Sequence, residues 1–234
     1  MKIIRSIITS IKTLTRFERI LWGVSAAVIF LSLIATGDPD ILVMCATLVG
    51  ISALIFIARG DVLGQILIII FSLLYAGVSY RFAYYGEMIS YVGMSGLIAL
   101  FSTVSWIRHP YKEKQVKISR PDKKTLIILA VLTAAVTCAF YFILKVLGTS
   151  NLPFSTISLA TSFVASSLAL LRSPHYALAY AANDIVLIIL WIFAAIQDIS
   201  SLPMIVCFGV FFINDMYGFF NWLRMEKLQK KAVE

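Results

Sequence analysis

The chain has 234 residues, of which 60% are hydrophobic and only 14% charged, with a formal net charge of +8. A soluble domain carries about a quarter charged residues, so this composition excludes one and indicates an integral membrane protein. The basic residues fall in short clusters between apolar runs, a pattern of membrane loops that argues against a nucleic-acid partner.

Residues 2–17 place Ile3, Ile4, Ile7, Ile8, Ile11 and Leu14 on one helical face with Lys and Arg elsewhere. That pattern predicts a helix lying on the membrane surface. A cleaved signal peptide is the competing reading, disfavoured because loss of the first span would spoil the internal repeat described below.

A bilayer core of about 30 Å takes roughly twenty apolar residues per helix. Runs of that kind cover residues 18–36, 41–58, 62–82, 87–107, 124–147, 154–171, 176–196 and 201–223. Pro39, Pro110, Pro121, Pro153, Pro174 and Pro203 all fall between these runs or at their edges, where no helix interior is broken. The fold class is therefore all-α, with about eight transmembrane helices.

Eight spans put both termini on one side, and that side holds every Lys and Arg except Arg81 and Lys145. The positive-inside rule makes it cytoplasmic. The other side carries Asp38, Asp40, Glu87 and Asp198, and Trp22, Trp106, Trp191 and Trp222 fall near span ends, as interface anchors do. The expected location is a cell membrane, crossed many times.

Residues 18–108 and 124–224 repeat one plan: a span, a short outer loop with proline, and three more spans. Arg59 and Arg172, 113 residues apart, each end the second span of a half. Trp106 and Trp222, 116 residues apart, each end the fourth. A repeat with an even number of spans returns to its starting side, so the halves run parallel, an architecture used by transporters with the substrate at the repeat interface. Residues 109–123 read as a polar linker and 225–234 as a basic tail.

Polar residues within the spans point to that interface. In the seventh span Tyr176, Tyr180, Asn183, Asp184 and Trp191 share a helical stripe, and in the eighth Asn214, Tyr217 and Asn221 do so with Asp215 at its edge. The third adds Gln65, Ser72, Tyr75 and Ser79, the fourth Gly93, Ser95 and Gly96. Small and amide residues also glue membrane helices together, and Ser72, Ser79, Ser95 and the glycines fit that role. Two Asn-Asp pairs at one depth exceed what packing needs and mark a binding site. Tyrosines beside them suit a flat ring whose hydroxyls the polar groups bond.

Paired aspartates also raise an intramembrane aspartyl protease. No Gly-x-Gly-Asp surrounds Asp184 or Asp215, and the enzyme reading is set aside on that ground. His109 and His175 lack metal-ligand spacing, and Cys45, Cys138 and Cys207 lie inside apolar runs as packing residues. No cofactor or metal is expected.

The stretches RGDVLGQILIIIFSLLYAGVSYRFAYYGEMISYVG, AYAANDIVLIILW and FFINDMYGFFNW resemble the PnuC family of bacterial vitamin and nucleoside transporters, best known for nicotinamide riboside uptake. The likeness covers nearly the whole chain after the first span. It implies a parallel duplication of three-helix units around a connecting helix, similar to the SWEET sugar transporters, with the first span an addition. It also implies facilitated diffusion of a nucleoside-type precursor, trapped inside by a cytoplasmic kinase. Family positions match Gln65, Tyr180, Asn183, Asp184 and Asn214. Nicotinamide riboside members carry two tryptophans a turn apart before the Asn, where this chain has Tyr176 and Tyr180. Deoxynucleosides, riboflavin and thiamine therefore stand as alternative cargoes, with proton coupling as an alternative to passive carriage. The candidate substrate-binding residues are Gln65, Tyr75, Tyr176, Tyr180, Asn183, Asp184, Trp191, Asn214, Asp215 and Tyr217. Asn183 and Asn214 are expected on the ribose or amide groups, Tyr180 and Tyr217 on the ring, and Gln65 at the cytoplasmic side. Membrane lipid is the other expected partner, and a homo-oligomer is compatible with the plan.

Overall fold

The computed structural model describes residues 10–37, 40–112 and 115–232. The expected surface helix over residues 2–17 lies, for residues 1–9, outside the described residues. Eight helices are long and apolar enough to cross a bilayer: α1 Arg16–Ala35, α2 Ile41–Ala58, α3 Val62–Arg81, α4 Tyr85–Arg108, α5 Lys123–Val146, α6 Leu152–Leu170, α7 Tyr176–Gln197 and α8 Leu202–Lys231. α8 continues past residue 223, where the apolar run ends.

Local chemistry sets the boundaries. Thr15 and Glu18 form a reciprocal capping box at α1. Asp40, Asp61 and Asp122 accept from the first backbone N–H groups of α2, α3 and α5. Pro153 and Pro203 lie in the first turns of α6 and α8, where the missing N–H is not needed. α2 ends at Gly60 and α6 at Arg172, both in the left-handed region with φ of 69° and 59°.

Six helices pack as a closed ring in the order α2, α3, α4, α6, α7, α8, with α8 returning to α2. α1 lies outside against α2 and α8, and α5 lies outside against α6. The halves therefore meet along two seams, α4 with α6 and α8 with α2. α5 buries only Leu129 and Leu144, leaving its apolar surface to the bilayer.

The same hydrogen bonds recur at both seams. Trp106 Nε1 donates to Ala169 O at 2.9 Å, and Trp222 Nε1 to Ile57 O at 2.8 Å. Ser105 Oγ donates to Leu170 O at 3.2 Å, and Asn221 Nδ2 to Ala58 O at 2.8 Å. Each pair exchanges α4 for α8 and α6 for α2, the signature of a two-fold axis between the halves. The Trp106 and Trp222 rings meet with centroids 5.4 Å apart.

This corrects the reading of the tryptophans as interface anchors. Trp106, Trp191 and Trp222 are among the most completely buried side chains, and only Trp22 is substantially exposed. Their indole N–H groups find carbonyl or hydroxyl partners inside the bundle, which lets an amphipathic ring serve as core. The cysteines divide: Cys207 is buried, while Cys45 and Cys138 face outward.

The basic end of the bundle is capped by residues 109–112 and 115–122. Pro110–Lys112 and Gln115–Val116 pair as a short antiparallel ribbon. The ribbon rests on the ends of α2 and α8, with Val116 buried among Ile57, Trp106, Trp222 and Met225.

Candidate transport site

In an α-helix two adjacent residues point about 100° apart, so an Asn-Asp pair cannot present both side chains to one place. The structure sends the aspartates inward. A small cavity of about 30 Å³ between α2, α3, α4, α7 and α8 is lined by Leu54, Ile57, Ile68, Phe71, Tyr91, Ser95, Tyr176, Tyr180, Asp184, Phe211 and Asp215. The two carboxyl groups adjoin across the α7–α8 contact. Two buried carboxyl groups so placed do not both ionise at low cost, and a cation at the cavity would favour their charged form.

A volume of 30 Å³ holds about one water, whereas pockets for organic ligands run to about 300–1,000 Å³. The cavity is thus closed, and rings close it at both ends. On the far side Tyr75 packs on Tyr91 at 4.4 Å and on Phe208 at 5.5 Å between centroids, and Trp191 Nε1 donates to Tyr75 Oη at 2.9 Å. On the basic side Tyr176 meets Trp222 at 4.8 Å. Tyr91 and Ser95 lie in Ser90–Gly96 of α4, which winds as a π-helix, a local widening frequent at functional sites. Ser166 of α6 bonds both Tyr180 Oη (3.0 Å) and Ser95 Oγ (3.4 Å), joining the cavity walls of the two halves.

Of the residues read from the sequence, Tyr176, Tyr180, Asp184 and Asp215 line this cavity. Tyr75 and Trp191 form its aromatic roof. The others are placed elsewhere. Asn183 turns to α6, where its Oδ1 accepts from Thr161 Oγ1 at 2.7 Å and Ser162 Oγ at 3.1 Å. Asn214 turns to α1, donating to Ser25 Oγ at 3.2 Å. Tyr217 Oη donates to Glu18 Oε1 at 3.0 Å, again toward α1. Gln65 is buried a turn below Ile68, outside the lining. Asn183 Nδ2, Asn214 Oδ1, Gln65 Nε2 and Asp184 Oδ2 have no protein hydrogen-bond partner, so each keeps capacity for a further bond.

Glu87, expected on the outer side at the start of the fourth span, does not face outward. It is fully buried in the first turn of α4, with Oε2 accepting from Ser158 Oγ at 3.2 Å and Oε1 unpartnered. Ser158 also reaches Asn183 Oδ1 at 3.5 Å, so a polar line runs inward along the α4–α6 seam. Its sequence signal was slight: a lone acid two residues after Tyr85, at the margin of a span.

One wall of the cavity depends on a missing side chain. A Cβ at Gly50 of α2 would lie 2.2 Å from Phe211 Cζ, so Gly50→Ala must displace the Phe211 ring, which lines the cavity. Overpacking of this kind costs about 1–3 kcal/mol. We expect Gly50→Ala to lower cargo affinity about tenfold, roughly 1.4 kcal/mol, in titration of the purified protein, with thermal stability reduced by less than a Gly50→Val change.

A family model described as nicotinamide mononucleotide transporter matches residues 40–224. The chain belongs to this transporter family. It is similar to a protein from Neisseria mucosa (strain ATCC 25996 / DSM 4631 / NCTC 10774 / M26) described as nicotinamide riboside transporter PnuC, with 26% identity over 197 residues, 81% of this chain and 75% of the relative. Its fold is similar to a crystal structure described as that of the vitamin B3 transporter PnuC, with a TM-score of 0.81, 23% identity, and coverage of 92% of this chain and 94% of the other. Membership makes the chain a multi-pass membrane transporter rather than an enzyme, and the carboxyl pair falls within a family whose business is carriage. The matched residues begin at the start of α2, leaving α1 outside them.

Proposed function

We propose that the protein carries nicotinamide riboside, or a closely related nucleoside-type precursor, and that the cavity between the halves is the cargo site. The observation that carries this reading is the lining: aromatic rings and two carboxyl groups, with no Lys, Arg or His among them. Nicotinamide riboside joins a flat, positively charged pyridinium to a neutral ribose. Rings bind a cation through their faces, and carboxylates offset its charge.

The same lining favours the riboside over its phosphate. A phosphomonoester carries about −1.5 to −2 charges at neutral pH, and each unit of that charge 4 Å from an ionised carboxylate is unfavourable by about 4 kcal/mol at an effective dielectric of 20. No cation in the cavity opposes that. On this reading the riboside is the cargo and the mononucleotide is excluded.

The basic end faces the cytoplasm in this reading, the halves rock about the axis to open one side at a time, and transport is facilitated diffusion with a cytoplasmic kinase trapping the product. The long exposed face of α5 remains for lipid or a second copy of the chain. Uptake of labelled nicotinamide riboside into proteoliposomes tests the proposal. Uptake that runs to equilibrium, and that excess mononucleotide leaves unchanged, is the expected result. Equal competition by the mononucleotide would overturn the cargo assignment, and accumulation above equilibrium under a pH gradient would overturn passive carriage.

A further inference from the structure

Residues 115–122 join the two halves, and a linker needs only length and solubility. This one is bonded to the protein along its course. Val116 N donates to Gly60 O at 3.0 Å, and Ser119 N donates to Arg172 O at 3.1 Å. Gly60 and Arg172 are the left-handed corners that end α2 and α6, equivalent positions of the two halves. The segment thus ties the same corner of each half across the axis. Between these points Gln229 of α8 clamps its backbone, accepting from Ile118 N at 2.9 Å and donating to Val116 O at 3.1 Å. Arg120 then grips Glu226 with two bonds, of 2.7 and 2.9 Å.

These contacts account for the last two turns of α8, which leave the apolar run yet stay ordered as helix to Lys231. They hold Val116, almost wholly buried, over the Trp106–Trp222 contact. Any movement that separates the two halves at the basic end must lengthen the distance between the Gly60 and Arg172 corners and draw Val116 out.

We propose that residues 115–122 form a latch that holds the basic end shut, and that its release, at Val116–Gly60 and at Arg120–Glu226, limits how often that end opens. The latch acts on the rocking motion whatever the cargo, so it goes beyond the cargo assignment and does not depend on it.

Thiol labelling of the purified full-length protein tests this, on a background with Cys45, Cys138 and Cys207 replaced. Ala58→Cys reports on the basic end beneath the latch and Ser79→Cys on the far end, both positions being buried. Arg120→Ala is expected to raise labelling at residue 58 about three- to fivefold, the equilibrium shift that a partly exposed ion pair supports, and Gln229→Ala, which removes two hydrogen bonds, by at least about as much, with residue 79 unchanged. Arg120→Glu combined with Glu226→Arg should restore the slow rate. A rise at both reporters would mean general loosening and would overturn the latch, as would no change at residue 58. Cross-linking Ser119→Cys to Arg172→Cys should slow labelling at residue 58 and arrest uptake until reductant is added. Altered labelling without nicotinamide riboside uptake would sink the cargo assignment and leave the latch standing.

Discussion

Neutralising either cavity carboxyl should cost far more affinity than removing the asparagine beside it. Asp184→Asn and Asp215→Asn keep the side-chain volume and remove the charge, so the bundle should fold while the cationic riboside loses an attraction of up to about 4 kcal/mol at close range. Screening and water entry leave part of that, and we expect ten- to a hundredfold weaker binding, about 1.4–2.8 kcal/mol, in titration calorimetry. The double variant should bind an uncharged nucleoside as well as it binds the riboside. Asn214→Ala should behave in the opposite way: its amide bonds Ser25 and Val210 O, not the cavity. Its loss should lower stability by about 1–2 kcal/mol and shift affinity by less than about threefold. Equal affinity losses in Asn214→Ala and Asp215→Asn would refute the inward placement of the aspartates.

That contrast shows where the sequence was readable and where it was not. Each span announced itself because a bilayer demands about twenty apolar residues per crossing, and all eight runs became helices. The duplication was legible for a related reason. Equivalent positions solve the same packing problem, so Trp106 and Trp222 recur at fixed spacing.

Which face of a helix turns inward was harder. Asn214 and Asp215 straddle the edge of one stripe, and periodicity alone could not separate them. What separates them is α1, outside the residues that the family model matches, whose Ser25 draws Asn214 aside. Glu87 was hidden because a charge at the first residue of an apolar run reads as facing the outer surface. The latch was hidden likewise, since polar residues between spans read as linker until their hydrogen-bond partners on distant helices are known.

The second large effect concerns the tryptophan pair on the axis. Trp106→Ala and Trp222→Ala each delete a fully buried indole, which costs about 3–5 kcal/mol in a packed core. The hydrogen bonds are equivalent: each indole donates to a helix-ending carbonyl that also accepts from a left-handed corner, Arg172 N to Ala169 O and Gly60 N to Ile57 O. Trp222 also packs edge-on against Tyr176, so its loss in detergent unfolding should exceed that of Trp106 by about 0.5–1.5 kcal/mol, the worth of one aromatic pair. Trp→Phe at either position keeps most of the ring and leaves the carbonyl one partner, so it should cost only about 0.5–1.5 kcal/mol for the hydrogen bond, plus the small loss in ring size. Because the rings touch at 5.4 Å, the double alanine variant should fall short of additivity by about 0.5–1.5 kcal/mol. Anchors at a membrane interface would give small losses and no coupling, since each would face lipid alone. Coupling between residues 106 and 222 is expected only if the halves close on one another at this point, which is the contact that an opening of the basic end has to break.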